Sequence, residues 1–504
     1  MRTGDYKFAF FLPVPDEGGR VLFLGAELPA LERALEELGT SVDRSPAEGA
    51  AYDLVVAGSP ETGSAGSDFF DRLRGLLGEG GYAAVLAQGG FGRVKSLGFA
   101  GADAYAAIPG PRNPAVVVPV FDARPLGFML SHFPDFSSRR PAVARHLARL
   151  LVRCGLQRLF LKHFVVILRH GGIGRPEPGM LAAVRGFAVE VLGARSLAVS
   201  LLSRVEIETQ AMLFFFFEEG RRAPSIVAKA ASEHGRNDDL RRERDNLELV
   251  RSFLPGPLKD SVPAVRGSSE WRGVFFYLQD FAAGRMLRSS LDAGPLGLGR
   301  RRAAADVGRV WDWLIRFQTA TASGSQRVGD LGIREMLGRY AVAHGEGGRD
   351  RSCLEWISKA LARNGGRLTP VCASHGDLFT GNIILGKNCV TVIDWRYFRR
   401  AYHTCFDVMT LGSTLGGDSE GVLTEPNRAS GFSRERYGTF LAKNGLDEDL
   451  FVFLSAATLL EMSARELRER GRSGQKDAAW RRRFLRFFEI KGLISARSGS
   501  PGAV

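Results

Sequence analysis

The sequence has 504 residues, of which 45% are hydrophobic and 24% are charged, and its formal net charge is +13. These proportions are those of ordinary folded proteins, so they exclude wholesale disorder and fibrous repeats. The length exceeds what one hydrophobic core supports and predicts two domains.

Three features of the sequence predict a cytoplasmic location. No apolar stretch reaches membrane-spanning length, since the run at residues 212–217 is followed at once by Glu218 and Glu219. The five cysteines are odd in number and form no CxxC pair, as expected for reduced thiols. Pro13 and Asp16 interrupt the region where a signal peptide would need an apolar run. The positive charge favours anionic partners such as nucleotides, but charge alone does not lead us to expect nucleic-acid binding.

The first third of the chain alternates predicted strands and helices. Apolar runs at residues 21–24, 52–57 and 82–86 predict strands, and amphipathic stretches at residues 28–38 and 69–77 predict helices. Strands that alternate with helices imply a parallel sheet covered by helices. We therefore expect an α/β parallel-sheet domain here.

Loose motifs in this region resemble class I methyltransferases. They lie at residues 76–81, 98–109 and 116–120. The resemblance implies S-adenosylmethionine as a ligand. However, residues 24–29 contain one glycine and a proline, where a nucleoside-binding turn needs several glycines. Asp43 could stand in for the acidic residue that holds ribose hydroxyls, and we expect a degenerate methyltransferase-like domain.

A Gly- and Pro-containing stretch at residues 170–176 breaks both the helical and the strand periodicity. It predicts a domain boundary. We expect the methyltransferase-like domain to cover residues 1–172 and a second domain to cover residues 180–495.

The strongest motif in the sequence is SHGDLFTGN, which begins at Ser374 and is followed by IILGKNCVTVIDW. The short β-branched runs at residues 383–385 and 389–393 are separated by the tripeptide GKN, and this pattern predicts a β-hairpin. Because a hairpin brings its outer ends together, Asn382 and Asp394 should lie side by side.

These residue types suit magnesium and phosphate chemistry. An amide oxygen and a carboxylate that face one point are hard donors, and they leave room for phosphate oxygens and water around Mg²⁺. Asp377, on the preceding loop, adds a carboxylate that could accept a proton from an attacking hydroxyl. The alternative is that Asp377 forms a turn, that Asn382 caps a strand and that His375 is a core histidine.

The motif resembles the aminoglycoside phosphotransferase and choline kinase family, relatives of the protein kinases. In that family HGDxxxxN replaces the HRD loop, and a hydrophobic stretch ending in DW replaces DFG. The resemblance implies that Asp377 is the catalytic base and that Asn382 and Asp394 bind the metal. The residues expected to brace these three are His375, Trp395 and Asp407, the last from the start of a helix.

A kinase-like fold also needs a lysine that binds the phosphates and a helix carboxylate that holds this lysine. Predicted paired strands at residues 212–217 and 225–230 place Lys229 in the expected position, and Glu243 in a predicted helix is its best partner. The expected adenine contacts, in a strand similar to the family's hinge, are Leu278, Gln279 and Asp280.

Together these patterns predict an α/β parallel-sheet domain followed by an α+β, two-lobed protein-kinase-like domain, with lobes at about residues 195–283 and 284–495. The resemblance implies ATP- and Mg²⁺-dependent transfer of the γ-phosphoryl group to a hydroxyl of a small molecule, such as a sugar or related metabolite. Residues 203–209, which should cover the phosphates, contain no glycine. This departure favours an alternative, a pseudokinase-type nucleotide-binding scaffold. A second alternative is an S-adenosylmethionine-dependent methyltransferase with an accessory kinase-like domain.

Overall fold

The computed structural model describes residues 12–15, 17–25, 28–58, 66–88, 103–108, 116–120, 122–132, 163–170, 179–202, 211–231, 234–291, 298–344, 347–415, 434–470 and 479–493. The predicted phosphate-covering loop at residues 203–209 and most of the boundary stretch, residues 171–176, lie outside these ranges, as do residues 26–27 and 98–102. Every helix within the described ranges is too short or too polar to span a membrane. The chain divides into two compact units, Met1–Arg244 with Ala264–Phe281, and Asp245–Pro263 with Ala282–Val504.

The first unit is built on one large sheet. Its strands are β1 (Arg20–Leu24), β2 (Ser41–Asp43), β3 (Tyr52–Gly58), β4 (Leu77–Gln88), β5 (Asp103–Ile108), β6 (Val116–Pro119), β7 (His163–Arg169), β8 (Leu197–Leu202), β9 (Ala211–Glu218), β10 (Ile226–Ala231), β11 (Val265–Trp271) and β12 (Val274–Asp280). Their order across the described part of the sheet is β11-β12-β10-β9-β8-β6-β5-β7-β4-β3-β1-β2. The helices are α1 (Pro29–Glu37), α2 (Gly66–Leu76), α3 (Ala123–His132), α4 (Met180–Leu192) and α5 (Asn237–Phe253), and the boundary between the two units falls within α5.

The predicted parallel sheet is present in the first four strands. β1 lies between β2 and β3, and β3 pairs with β4, all in parallel. The consecutive residues Leu54, Val55, Val56 and Ala57 of β3 are each 0% exposed. Burial without alternation is typical of parallel strands that are covered on both faces.

The rest of the sheet is antiparallel. β7, which the sequence analysis missed, lies between β4 and β5 and runs antiparallel to both. The pairings from β5 through β6, β8, β9, β10 and β12 to β11 are also antiparallel. The parallel-sheet prediction therefore describes the part of the sheet from β2 to β4, and the predicted strand pair at residues 212–217 and 225–230 is present as β9 and β10.

Residues 78–81, which precede the predicted strand at residues 82–86, form a bulge in β4. On either side of the bulge, Tyr52 pairs with Leu77 and Leu54 pairs with Tyr82. A bulge inserts extra residues into one strand without ending that strand. β4 therefore begins earlier than the sequence pattern predicts.

An aromatic cluster lies in the core of the first unit. The ring of Phe128 on α3 is 5.4 Å from that of Phe215, 5.7 Å from that of Phe217 and 5.3 Å from that of Phe281, measured between centroids. Burial of a large apolar side chain stabilises the fold by about 1.5–3 kcal/mol. The cluster therefore fixes α3 against β9.

The second unit is mainly helical. Its helices are α6 (Gly256–Lys259), α7 (Leu287–Leu291), α8 (Leu298–Ala320), α9 (Ile333–His344), α10 (Gly348–Asn364), α11 (Cys405–Leu415), α12 (Arg434–Lys443), α13 (Glu448–Arg470) and α14 (Ala479–Ile490). Its strands are β13 (Arg285–Met286), β14 (Gly324–Arg327), β15 (Leu368–Ser374), β16 (Ile383–Leu385), β17 (Val390–Val392) and β18 (Arg399–His403). They form two small sheets, in the orders β13-β16-β17 and β14-β15-β18.

Helix α13 lies at the centre of the second unit, where it packs against α9, α10, α11 and α14. α14 contributes Phe484, Phe487 and Phe488, which are buried and recur at helical spacing. Arg486, which lies between Phe484 and Phe487, is exposed. α13 is therefore held by four neighbouring helices.

The boundaries of the two compact units differ from the boundaries of the predicted domains. β7 and β8, on either side of the predicted boundary at residues 172–180, belong to one sheet. The first unit ends at Phe281, close to the predicted lobe boundary at residues 283–284. The domain boundaries and the two-lobed organisation stay predictions.

Candidate active site

The predicted hairpin is present in the second unit as β16 and β17. Ile383 pairs with Val392, and the N–H of Ile393 donates to the carbonyl oxygen of Asn382 at 2.9 Å. Asp394 follows directly. The register therefore brings the backbones of Asn382 and Asp394 to the same end of the hairpin, as the sequence pattern predicts.

The loop that carries Asp377 follows β15. The side-chain Nδ2 of Asn382 donates to the backbone carbonyl oxygen of Asp377 at 3.1 Å. This bond ties the loop to the hairpin and orients the Asn382 amide, whose oxygen is on its other branch. Gly376 has a φ of 78°, and a Cβ at this position would collide with the carbonyl oxygen of Tyr397. A glycine is therefore required immediately before Asp377.

His375 joins the loop to the hairpin from a fully buried position. Its Nε2–H donates to the carbonyl oxygen of Ile393 at 3.0 Å, and its Nδ1 accepts from the N–H of Asp377 at 3.2 Å. Burial lowers the pKa of His375 to about 4, so the ring is neutral near pH 7. One neutral tautomer satisfies both bonds. The role of His375 is therefore to hold its neighbours, as the alternative interpretation of a core histidine also requires.

Trp395 contacts the same two segments, and Asp407 holds the loop that carries Asp377. The ring of Trp395 lies edge-on to His375, with centroids 4.6 Å apart, and its Nε1–H donates to the carbonyl oxygen of Val392 at 2.8 Å. The carboxylate of Asp407, in the first turn of α11, accepts from the N–H groups of His375 at 2.7 Å and Gly376 at 3.1 Å. Burial raises the pKa of Asp407 to about 6, although these N–H donors oppose the shift. Both side chains make the bracing contacts expected of them.

Asp394 has an unusual backbone conformation. Within the described ranges the non-glycine residues with positive φ are Asp394, at 66°, and Arg272, at 49°. Arg272 and Gly273 form the two-residue turn between β11 and β12, a type of turn that requires positive φ. Asp394 lies in no such turn. Left-handed conformations outside turns concentrate at functional sites, where the surrounding structure enforces them.

The residues at the end of the hairpin fit a magnesium ion. The amide oxygen of Asn382 and the carboxylate of Asp394 are hard oxygen donors, which Mg²⁺ prefers. Among the described residues, no group of three or more His, Cys, Asp and Glu side chains could hold a metal. Two protein donors, completed by phosphate oxygens and water, are typical of magnesium in nucleotide sites. This donor set therefore suits a metal that arrives with a nucleotide.

In the first unit, Lys229 and Glu243 form the predicted ion pair. The Nζ of Lys229 on β10 contacts Oε1 of Glu243 on α5. The residues are 8% and 5% exposed, so neither charge is hydrated by bulk water. A buried charge is stable only when a partner of opposite charge holds it. The pair is therefore a fixed feature of this unit.

The predicted adenine contacts lie on β12, between β10 and β11. Leu278 pairs with Ala228, and Gln279 pairs with Val227 on one side and Val265 on the other. A strand with neighbours on both sides uses its backbone groups within the sheet. The side chain of Asp280 also binds Arg266, with Oδ2 accepting from Nη2 at 2.9 Å. The assignment of residues 278–280 as adenine contacts stays a prediction.

Two further side chains contact the candidate site and were missed in the sequence. Arg465 on α13 donates from Nη1 to the carbonyl oxygen of Gly376 at 2.6 Å. Asn246 on α5 donates from Nδ2 to the carbonyl oxygens of Trp395 at 2.9 Å and Arg396 at 3.2 Å. For Arg465 the sequence shows only an i,i+4 pair with Glu461, a pattern that indicates an ion pair within the helix and not a contact with Gly376. For Asn246 no local signal exists.

The comparison with protein families matches one part of the chain. Residues 212–437 match the model of the phosphotransferase enzyme family. A search of curated protein sequences gave no match. The match confirms the predicted resemblance for this part of the chain, and the methyltransferase-like interpretation of the N-terminal part stays a prediction.

Several solved structures are distantly similar to the chain. Aminoglycoside phosphotransferase APH(4)-Ia, as a thermostable mutant in ternary complex with ADP and hygromycin B, is 14% identical, with a TM-score of 0.42 over 63% of this chain and 100% of its own. A choline/ethanolamine kinase family protein from Mesorhizobium loti is 14% identical, with a TM-score of 0.39 over 63% and 96%. Choline kinase LicA from Streptococcus pneumoniae is 14% identical, with a TM-score of 0.37 over 62% and 98%.

Proposed function

We propose that this protein is a small-molecule phosphotransferase that transfers the γ-phosphoryl group of ATP to a hydroxyl group. The observation that carries the proposal is the pair of segments around Asp377 and Asp394, which are locked together through His375 and Asn382. The family match over residues 212–437 supports the same class of reaction. Phosphoryl transfer depends mainly on positioning and electrostatic stabilisation, so rigid placement of these carboxylates is the feature it needs.

The proposed roles follow from the donor chemistry. Asp377 orients the acceptor hydroxyl and takes its proton as the oxygen bonds to the γ-phosphorus, and the bond from that phosphorus to the bridging oxygen of ADP breaks. Asn382 and Asp394 hold Mg²⁺, which neutralises phosphate charge when it is bound. Lys229, fixed by Glu243, holds phosphate oxygens. These assignments place one proton acceptor and one metal site on neighbouring segments.

The acceptor is proposed to be a sugar or a related hydroxylated metabolite. The net charge of +13 disfavours a polycationic acceptor, because like charges repel at long range. The proposal is therefore tested first with a panel of neutral and anionic hydroxylated metabolites. Polycationic aminoglycosides serve as the contrasting group.

The test is Mg²⁺-dependent ATP consumption with this panel, comparing wild type with Asp377→Ala. Loss of a general base typically lowers the rate by about 10²–10⁴-fold. The matched control is Asp330→Ala, which removes an exposed aspartate from the same unit and should leave turnover unchanged. Equal turnover in wild type and Asp377→Ala would remove the proposed role of Asp377.

The alternative is a nucleotide-binding scaffold without turnover, which the glycine-free stretch at residues 203–209 favours. Titration of wild type with ATP in the presence and absence of Mg²⁺ separates the two. Tight binding with no acceptor-dependent consumption over the whole panel would favour the scaffold. Binding together with acceptor-dependent ADP release would favour the enzyme.

A further inference from the structure

Arg465 lies beneath the loop that carries Asp377. The guanidinium donates from Nη1 to the carbonyl oxygen of Gly376 at 2.6 Å, and its planar group lies over the ring of Tyr397, 4.1 Å from the centroid. Gly376 precedes Asp377, and Tyr397 follows the hairpin that carries Asp394. One side chain from α13 therefore touches both segments of the candidate site.

The peptide group between Gly376 and Asp377 is held at both ends. Its carbonyl oxygen accepts from Arg465 at 2.6 Å, and its N–H, which belongs to Asp377, donates to Nδ1 of His375 at 3.2 Å. The preceding N–H, of Gly376, donates to Asp407 at 3.1 Å. Rotation of this peptide group would break the bonds at both ends. The backbone position of Asp377 is thus defined by a cation on one side and a neutral histidine on the other.

A guanidinium at this depth is not explained by packing. The side chain of Arg465 is 6% exposed, and an apolar side chain would fill the same space without loss of hydration. Burial lowers the pKa of Arg465, and the carboxylates of Asp377 and Glu461 oppose that shift. Arg465 is therefore held in place by the groups that it positions.

The charges around Arg465 are arranged as a network. Nη2 of Arg465 contacts Oε1 of Glu461 at 3.3 Å, and Glu461 also pairs with Arg399 and accepts from the hydroxyl of Tyr402 at 2.6 Å. Two guanidinium groups in this cluster face one carboxylate. The carboxylate of Asp377 also raises the pKa of Arg465 by electrostatic attraction, against the larger effect of burial.

We propose that Arg465 is a positioning residue of the phosphotransfer site, which fixes the Gly376 carbonyl and thereby the placement of the Asp377 carboxylate. The expected change in kcat rests on the proposed function, whereas the expected effect of Arg465 on the position of the Asp377 loop does not. It assigns a role in the reaction to α13, a helix that lies outside the segment matched by the family model.

The test compares Arg465→Met with the control Arg468→Met, an exposed arginine on the same helix. Misplacement of a reacting group by about 1 Å can lower the rate by about 10²-fold. We expect Arg465→Met to lower kcat by at least about 30-fold with the KM for ATP changed less than about threefold, because ATP binding does not depend on the Asp377 position. The control should match wild type in both constants. Equal losses in kcat for both variants, or a loss confined to KM, would overturn the proposal.

A second measurement separates this proposal from the proposed function. Amide hydrogen exchange of the peptide spanning residues 374–382 should be about tenfold faster in Arg465→Met than in wild type, with other regions unchanged. If the wild type shows no turnover, faster local exchange in Arg465→Met would support the positioning role and contradict the phosphotransferase assignment. Unchanged exchange in this peptide would overturn the positioning role whatever the activity.

Arg465→Lys covers the case in which Arg465→Met does not fold. It keeps the positive charge but loses the planar fork that bonds Gly376 and Glu461 together. We expect a folded protein whose kcat is lowered about threefold to tenfold and whose 374–382 exchange is moderately faster. Wild-type kcat and wild-type exchange in Arg465→Lys would overturn the proposal.

Discussion

Replacing Lys229 by methionine should destabilise the protein in a strongly pH-dependent way. The substitution keeps the volume of the side chain but removes the positive charge that contacts Glu243, which is 5% exposed. A buried carboxylate in this position can either stay ionised or take up a proton. The smaller of the two free-energy costs sets the loss of stability.

The cost of protonation can be calculated. An ordinary glutamate has a pKa of about 4.3, so neutralising it costs about 4 kcal/mol at pH 7 and about 1 kcal/mol at pH 5. Removing one partner of a buried pair typically costs about 3–5 kcal/mol, which agrees with the value at pH 7. The protonated carboxyl group is favoured in the folded variant, so its stability is highest at low pH and is lost as the pH rises. We therefore expect the difference in unfolding free energy between wild type and Lys229→Met to shrink from about 4 to about 1 kcal/mol between pH 7 and pH 5.

Urea unfolding at pH 5, 6 and 7 measures this difference. The double variant Lys229→Met/Glu243→Gln removes both charges and should recover most of the lost stability at pH 7. Mg²⁺-dependent ATP consumption should stay low in this variant, because it lacks the lysine proposed to hold phosphate oxygens. Lys359→Met, which removes an exposed lysine, is the control and should change stability by less than about 0.5 kcal/mol. A penalty independent of pH, or a double variant as unstable as Lys229→Met alone, would refute the reasoning.

Two further substitutions test the candidate site. Asp394→Asn and Asp394→Ala should both abolish metal-dependent turnover. Thermal unfolding should show that Asp394→Ala is less stable than Asp394→Asn by about 1–2 kcal/mol, because alanine tolerates the left-handed backbone less well than asparagine. Equal stabilities of the two variants would contradict the strain argument. His375→Gln should reduce the loss of stability on acidification. Burial lowers the pKa of His375 to about 4, so the stability that the neutral ring contributes above pH 6.5 is lost as the pH falls toward 4. The expected size of this loss is about 3 kcal/mol. The measurement is the difference in unfolding free energy between wild type and His375→Gln at pH 7 and pH 4, and a difference that does not change with pH would show that burial does not lower the pKa.

The hairpin of the candidate site could be predicted because its determinants are local. Two β-branched runs and the short connection at residues 386–389 specify β16 and β17, and their register alone places Asn382 beside Ile393. The Lys229–Glu243 pair could also be predicted, because the two residues lie close in sequence, on a strand and on the helix that follows it. Local periodicity and chain order thus account for most of the predicted site residues.

Other parts of the structure depend on contacts that one sequence does not reveal. Arg465 meets the carbonyl oxygen of Gly376, a residue 89 positions away, and no pattern around either residue specifies the contact. The position of β7 between β4 and β5 could not be predicted either, because local strand propensity does not specify the order of strands in a sheet. The bulge at residues 78–81 shows the same limit, since glycines are compatible with a turn and with an irregular strand.

The continuous sheet of the first unit determines where the polypeptide can be shortened. A fragment that starts at residue 212, where the family match begins, lacks β8 and leaves an edge of β9 that is rich in phenylalanine unpaired, which invites aggregation. α4 should also be retained, because the ring of its Phe187 lies 5.8 Å from that of Phe276 on β12. By contrast, β6 and β8 are registered through Val116 with Leu202 and Val117 with Leu201 alone within the described ranges. A recombinant fragment that begins near Gly179 would therefore sever the shortest ladder among the described strands of this sheet and keep β9 paired with β8, but it would also remove Phe128 from the rings of Phe215 and Phe217.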